Sequence, residues 1–194
     1  VDKLILRYHS PDIAIDKIKE NPYILIKDIK GVGFKKADEI AMKMGFSSDD
    51  VRRCVAFVYY FFNNKADDGD CYTEYDEFLN ELDKVLGVDY PDESINKAMK
   101  QLDSEGELWV KDYINDDGYE YTLLGLKKYY DIEKEICHHL TRLMSAENKT
   151  VIDEEIAMQH IREQEEKQGW NFTERQLEGI FTCMNNNVTI IIGY

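Results

Sequence analysis

The chain of 194 residues is long enough for one large domain or several small ones. It contains 24 Lys and Arg against 39 Asp and Glu, and the resulting net charge of −15 excludes a generally basic nucleic-acid coat protein. Because 43% of the residues are hydrophobic and 12% are aromatic, the chain is too apolar for a disordered acidic tail. We therefore expect a folded, acidic protein.

The sequence carries no signal for a membrane, a secretory pathway or a metal. No apolar stretch approaches the roughly 18 residues of a membrane span, and no signal peptide opens the chain. The four cysteines are Cys54, Cys71, Cys137 and Cys183, and their spacing along the chain matches no zinc-binding motif. We expect reduced thiols, a cytoplasmic location and no metal site. Neither chain end resembles a natural terminus, so we expect a piece of a longer protein.

The first segment, to about residue 46, is predicted to be helical. Ser10-Pro11 and Asn21-Pro22 each place a capping side chain before a proline suited to the first helical position. A Gly-Val-Gly turn at residues 31–33 then precedes a helix with Ala37 where two helices cross. Glycines let the backbone turn sharply and approach a phosphate, and the next helix directs free N–H groups at it. The predicted DNA-binding residues are Lys30, Gly31, Val32, Gly33, Lys35 and Lys36.

The charge distribution favours this interpretation. Residues 1–46 contain nine Lys or Arg and seven Asp or Glu, a balance of +2, so the remaining residues carry −17. The alternative is a tight helical corner without any DNA contact. If the turn does bind DNA, the contact is with the backbone, largely independent of sequence and sensitive to salt.

The second segment, residues 47–146, has the pattern of a winged helix. Helices are predicted at 51–62, at 74–86 with Thr73 as N-cap, and at 92–105. Strands at 108–113 and 119–123 are joined by the turn residues 115–118, and a long helix follows at 126–144.

This second segment is a poor candidate for reading DNA. Its candidate recognition helix carries Asp92, Glu93, Asp103 and Glu105 against two lysines, and the hairpin tip at Asp116-Asp117 is also acidic. These charges favour a structural or protein-contact role over DNA contact. The aromatic run at residues 57–62 is more typical of a core than of a base-stacking platform.

The third segment, residues 147–194, has the pattern expected at the beginning of an α/β domain. A helix is predicted at 153–168, and Thr173 to Gln176 has the form of a capping box for a helix to about Met184. Residues 188–192 are apolar and β-branched, as in a strand buried in a parallel sheet. The predicted fold is mainly α: a unit that resembles the helix-hairpin-helix motif (1–46), a winged-helix-like unit (47–146), and a linker helix with the first helix and strand of an α/β domain that resembles a RecA-like domain (147–194).

The three segments together resemble the amino-terminal half of a RecD-like superfamily 1 DNA helicase of the exodeoxyribonuclease V alpha-subunit type. The resemblance rests on residues 21–38, on the stretch around Glu105-Gly106, and on residues 172–176 followed by 188–193, in the family's order. It implies that the parent is an ATP-dependent 5′–3′ helicase acting in repair or recombination.

The resemblance also implies nucleotide-binding roles in that parent. Gln176 would recognise the adenine of ATP. The alternative is that it only closes the capping box with Thr173, and the two roles are compatible. Gly193 would be the first glycine of the phosphate loop. The sequence ends one residue later, without the loop lysine or the Mg²⁺ ligands, so we expect no catalytic residue and no ATP hydrolysis here. ATP and Mg²⁺ are cofactors of the parent only.

The sequence is therefore consistent with two functions. The first is a DNA-binding or DNA-positioning region that contacts single-stranded or forked DNA through its backbone. The alternative is a protein-docking module of a repair complex without direct DNA contact, which the overall acidity favours. No membrane partner is expected.

Overall fold

The computed structural model describes residues 6, 8–29, 32–147 and 152–192. The chain divides into two compact units, residues 1–131 and 132–194. The helices of unit 1 are α1 (Pro11–Glu20), α2 (Ile24–Asp28), α3 (Phe34–Lys43), α4 (Val51–Asp67), α5 (Tyr75–Leu86) and α6 (Asp92–Ser104). Its strands are β1 (Thr73–Glu74), β2 (Leu108–Ile114) and β3 (Glu120–Leu126). Helix α7 (Lys127–Met144) runs into unit 2, which also holds α8 (Glu154–Gln168) and α9 (Glu174–Asn185).

The predicted hairpin is confirmed. Strands β2 and β3 pair antiparallel, with Leu108 opposite Leu126 and Tyr113 opposite Tyr121. The Asn115 side chain closes the turn by accepting hydrogen bonds from the backbone N–H groups of Asp117 and Tyr119, at 3.0 and 2.8 Å. Short polar side chains that mimic a backbone turn are what the sequence of this loop supplies.

The sequence did not indicate the third strand, and the role predicted for Thr73 is wrong. Thr73 is not the N-cap of the following helix, because Glu74 holds that position and α5 begins at Tyr75. Instead, Thr73 and Glu74 pair with Leu124 and Leu123, which gives the sheet order β1-β3-β2. The Thr73 hydroxyl is buried and donates to the Glu77 carboxylate. A two-residue strand is too short to display the alternation by which strands are recognised.

An aromatic core holds unit 1 together. Phe57, Phe61 and Phe62 of α4 are at least 92% buried, and the Phe62 ring lies parallel to that of Phe78 in α5, with centroids 6.1 Å apart. The core interpretation of the aromatic run is therefore confirmed, with Tyr59 and Tyr60 half-buried at its margin. Residues of α3 join the same cluster. The predicted domain limits at 46 and 146 stay predictions.

In unit 2 the capping-box prediction is confirmed and the strand prediction is wrong. Thr173 forms a complete capping box with Gln176, and the Asp153 side chain caps α8. Residues 188–192 form no strand, and Ile190, Ile191 and Ile192 are 73–83% exposed. A strand of this composition needs neighbouring strands on both sides, and the three strands found among the described residues all belong to unit 1.

Within the described residues, no helix is both long and apolar enough to cross a membrane. The cysteines form no disulfide among the described residues; Cys54 is buried, and Cys137 and Cys183 are exposed. No group of three or more His, Cys, Asp or Glu side chains in this part of the chain is placed to hold a metal ion.

Replacing Gly125 by Ala is expected to destabilise the protein by about 2 kcal/mol, because added bulk in a packed site strains its surroundings. A Cβ atom at this position of β3 would lie 2.6 Å from the Cys71 backbone oxygen, which cannot rotate away. Urea unfolding measures the change. The control is Gly179→Ala in α9, where a Cβ meets no atom within 4 Å and alanine should stabilise the helix by up to about 1 kcal/mol. Equal stability of the Gly125→Ala variant and the wild type would contradict the close packing of β3.

The Cys54 thiol should make stability pH-dependent in the alkaline range. Burial raises the pKa of this thiol to about 12, against an ordinary value of about 8.5. The unfolded chain therefore ionises first, and the contribution to the free energy of unfolding is complete below about pH 8.5 and is lost as the pH rises towards 12. At pH 8 a thiol reagent should label Cys137 and Cys183 rapidly and Cys54 only on unfolding. Rapid native labelling of Cys54, located by peptide mapping, would contradict this.

Candidate nucleic-acid interface

The predicted DNA-binding turn lies between two short helices, α2 and α3. Helix α2 ends as the Ile29 N–H donates to the Leu25 carbonyl at 3.0 Å, and the Val32 N–H donates to the Ile29 carbonyl at 3.1 Å. Gly33 is then the N-cap residue of α3. Two helices joined by a tight turn are thus formed where the sequence predicts them. Lys30 and Gly31 lie outside the described residues.

Gly33 leaves the N-terminal end of α3 bare. Its backbone is extended, with φ −88° and ψ 178°, and no side chain caps the first turn of the helix. A Cβ at this position would meet no atom within 4 Å. The expected need for glycine to turn the backbone therefore does not apply at Gly33, because any residue adopts this conformation. Its lack of a side chain instead gives an outside group direct access to the free N–H groups.

The charges around this end of α3 favour an anion. Lys35 and Lys36 are both exposed in the first turn, which contains no acidic residue. The positive end of the helix dipole and the two ammonium groups therefore act with the same sign. Helices α5 and α6 differ in this respect, since each has two acidic residues in its first turn.

Aromatic packing fixes the direction in which α3 presents these lysines. Phe34 is 1% exposed, and its ring stacks on Tyr23 and on Tyr60, with centroid distances of 6.2 and 5.6 Å. Ala37 is fully buried, which confirms the small residue predicted at the helix crossing. Val32 is half-buried and packs against the same cluster. With these side chains inward, Lys35 and Lys36 must face solvent.

An ion pair that the sequence did not indicate ties α3 to α4. The Arg53 guanidinium donates to both Asp38 oxygens, each at 2.9 Å, and also reaches the backbone oxygens of Ser48 and Leu86. The Tyr23 hydroxyl donates to Asp38 Oδ1 at 2.8 Å. Burial, together with this hydrogen bond, raises the pKa of Tyr23 well above its usual range, so the phenol stays a donor. Asp38 and Arg53 are 15 positions apart in different helices, and no sequence spacing marks such a pair.

Gln176, the candidate adenine-recognition residue, occupies the capping box of α9. Its Oε1 accepts from the Thr173 N–H at 2.8 Å, and its own N–H donates to the Thr173 hydroxyl at 3.3 Å. The capping prediction is therefore confirmed. The side-chain Nε2 is not used in the box, and the exposed Gln176 borders an open groove with Phe172 and Ile180. Gly193 lies outside the described residues.

Comparison with known families bears on the N-terminal part of the chain. Residues 1–72 match the family model described as the ATP-dependent RecD2 DNA helicase HHH domain, where HHH stands for helix-hairpin-helix. This match supports the N-terminal region of a RecD-like DNA helicase. The match includes the α2–α3 hairpin and all six predicted DNA-binding residues, so in this RecD2-type HHH domain the bare end of α3 is the candidate interface.

Replacing Asp38 by Asn is expected to lower the free energy of unfolding by about 2 kcal/mol, because it leaves the Arg53 charge without its carboxylate partner in a site only 11–15% exposed. The control is Glu93→Gln, which removes the exposed Lys97–Glu93 pair and should cause no measurable change. Urea unfolding of both variants measures the difference. Equal effects of the two substitutions would mean that the Arg53–Asp38 pair does not hold α3 to α4.

Proposed function

We propose that this chain is the DNA-binding and DNA-positioning region of an ATP-dependent 5′–3′ helicase of RecD type that acts in DNA repair or recombination. The observation that carries the proposal is the match of residues 1–72 to the RecD2 helicase HHH domain. In that domain the end of α3 is bare, exposed and positively charged.

Backbone phosphates are the chemical group that best suits this end of α3. A phosphate oxygen can accept hydrogen bonds from the free N–H groups of the first turn, and Gly33 has no side chain to obstruct it. Lys35 and Lys36 can add charge-assisted contacts. None of these groups distinguishes one base from another, so binding should be independent of sequence and weaken with salt. Single-stranded or forked DNA is the proposed substrate.

The part of unit 1 from α4 onward, whose first helix also lies within the matched residues 1–72, is proposed to be a winged-helix-like unit. The element order α4, β1, α5, α6, β2, β3 and the sheet order β1-β3-β2 support this assignment. Its third helix, α6, begins with Asp92 and Glu93, and the tip between its strands carries Asp116 and Asp117. Because these charges repel phosphates, its proposed role is to support the HHH domain and to contact protein, including subunits of a repair complex, rather than DNA.

For the parent helicase we propose that residues 147–194 lead into a RecA-like motor that binds ATP and Mg²⁺. Gln176 would contact adenine through its uncommitted Nε2, and Gly193 would open the phosphate loop. The exposed position of Gln176 beside a groove supports the first assignment. The parent is proposed to act in the cytoplasm, alone or as an exodeoxyribonuclease V alpha-type subunit.

The decisive substitution is Gly33→Ser, which should change stability and DNA binding in opposite directions. Serine is a better N-cap than glycine by a few tenths of a kcal/mol, so the variant should be at least as stable as the wild type. The same hydroxyl and its Cβ occupy the space and the N–H groups proposed for a phosphate, so DNA affinity should fall about tenfold. Fluorescence anisotropy with labelled single-stranded, duplex and forked DNA measures this at several salt concentrations.

Two further variants make this test specific. Gly179→Ala, which also replaces a glycine with open space around it, should leave DNA affinity unchanged. The Lys35→Ala/Lys36→Ala pair should reduce the slope of log affinity against log salt by about one to two units. The hairpin proposal fails if Gly33→Ser binds DNA as tightly as the wild type in a folded protein.

A further inference from the structure

An open groove lies at the outer end of the β-hairpin of unit 1. Its surface is acidic, whereas the exposed end of α3 is positively charged. The groove is bounded by the N-terminal end of α5 (Glu74–Asp76) and by the outer halves of β2 (Asp112–Ile114) and β3 (Tyr119–Thr122). Its volume of about 540 Å³ is within the range of sites that bind ligands. We call it the tyrosine groove.

Three tyrosine rings form one row along this groove. The rings of Tyr113 and Tyr121 are nearly parallel, at 17° with centroids 5.7 Å apart, and those of Tyr119 and Tyr121 are at 12° and 6.4 Å. Tyr119 is 57% exposed. Aromatic faces of this kind attract cations, and the Lys111 ammonium already lies 4.8 Å from the centre of the Tyr113 ring. The row is therefore suited to guanidinium or ammonium groups.

Four carboxylates line the same groove, those of Glu74, Asp76, Asp112 and Glu120. Glu74 lies on the same face of the sheet as the tyrosine rings, whereas Asp112 and Glu120, which alternate with Tyr113 and Tyr121 along the strands, lie on the other face. None of the four forms an ion pair with any other residue in the described part of the chain. Asp112 is held in place by a hydrogen bond from the Thr122 hydroxyl at 2.6 Å. Both faces of the hairpin end therefore attract cations and repel phosphate, one through the ring faces and Glu74 and the other through Asp112 and Glu120.

The backbone of β3 adds a feature that suits an extended chain. Strand β1 pairs only with Leu123 and Leu124, and β3 continues outward through Glu120–Thr122 along the groove. On that side, the edge of β3 beyond β1 has no strand partner among the residues described. A partner segment in an extended conformation can lie along this edge and place alternate side chains in the groove.

We propose that the tyrosine groove docks an extended Arg- or Lys-rich segment of a partner protein. Its backbone pairs with the free edge of β3, so that cationic side chains on one face of the segment meet the tyrosine rings and Glu74, and those on the other face meet Asp112 and Glu120. This site does not depend on the DNA-binding role of the α2–α3 hairpin, which uses different residues and the opposite charge.

The test uses the full chain and a fluorescein-labelled peptide of alternating Arg and Val, with a Glu-Val peptide of equal length as the charge-reversed probe. The Arg-Val peptide should bind and the Glu-Val peptide should not. Glu74→Gln/Glu120→Gln should weaken Arg-Val binding about fivefold or more, and Tyr119→Ala about threefold. Tyr119→Phe, which keeps the ring, should bind as the wild type does.

The matched control removes the same charge elsewhere, at Glu133→Gln/Glu135→Gln on the exposed face of α7. This pair should leave Arg-Val binding within about twofold of the wild type. Equal losses for the two charge pairs would mean general attraction to an acidic protein, and the proposal would be wrong. It would also be wrong if the groove variants weakened duplex DNA binding and not peptide binding. Tyr119 is exposed, so its two substitutions keep the test valid even if the Glu74 change unfolds β1.

Discussion

The burial of Phe34 is the contact on which the candidate DNA interface depends. Its ring lies between those of Tyr23, the N-cap residue of α2, and Tyr60 of α4, and one side chain at the first position of α3 therefore joins the start of α2 to α4. Because Phe34 must point inward, the residues directly after it point outward, and these are Lys35 and Lys36. The Arg53–Asp38 pair then fixes α3 against α4 one turn further along. The candidate DNA interface is thus set by packing on the other side of a single short helix.

The features that the sequence predicted correctly are those whose partners are close together along the chain. The Thr173–Gln176 capping box spans three positions, and the Asn115–Gly118 turn closes on itself, so the relevant atoms are fixed by local geometry alone. Within the candidate site the hairpin and the inward Ala37 were predictable for the same reason. The exposure of Lys35 and Lys36 follows from the period of α3.

The features that sequence reasoning missed depend on distant partners. Strand β1 exists only because residues fifty positions later lie beside it, and Asp38 meets Arg53 only because α3 packs on α4. Residues 188–192 illustrate the reverse case. Their β-branched composition suits a strand, but composition cannot form a strand without neighbours to accept its hydrogen bonds. The role of Gly33 was also missed. Its backbone angles are ordinary, and what matters is the open space around its Cα, which depends on where the rest of the chain lies.

The shortness of β1 has a consequence for how copies of this protein meet one another. A long uncovered strand edge lets identical chains pair edge to edge and aggregate. Here the uncovered part of β3 is three residues long and begins with Glu120, and the carboxylates of Glu74 and Asp112 line the same groove. A second copy would bring an identical set of negative charges to that edge. The end of the sheet is therefore closed to self-association, although its backbone is open.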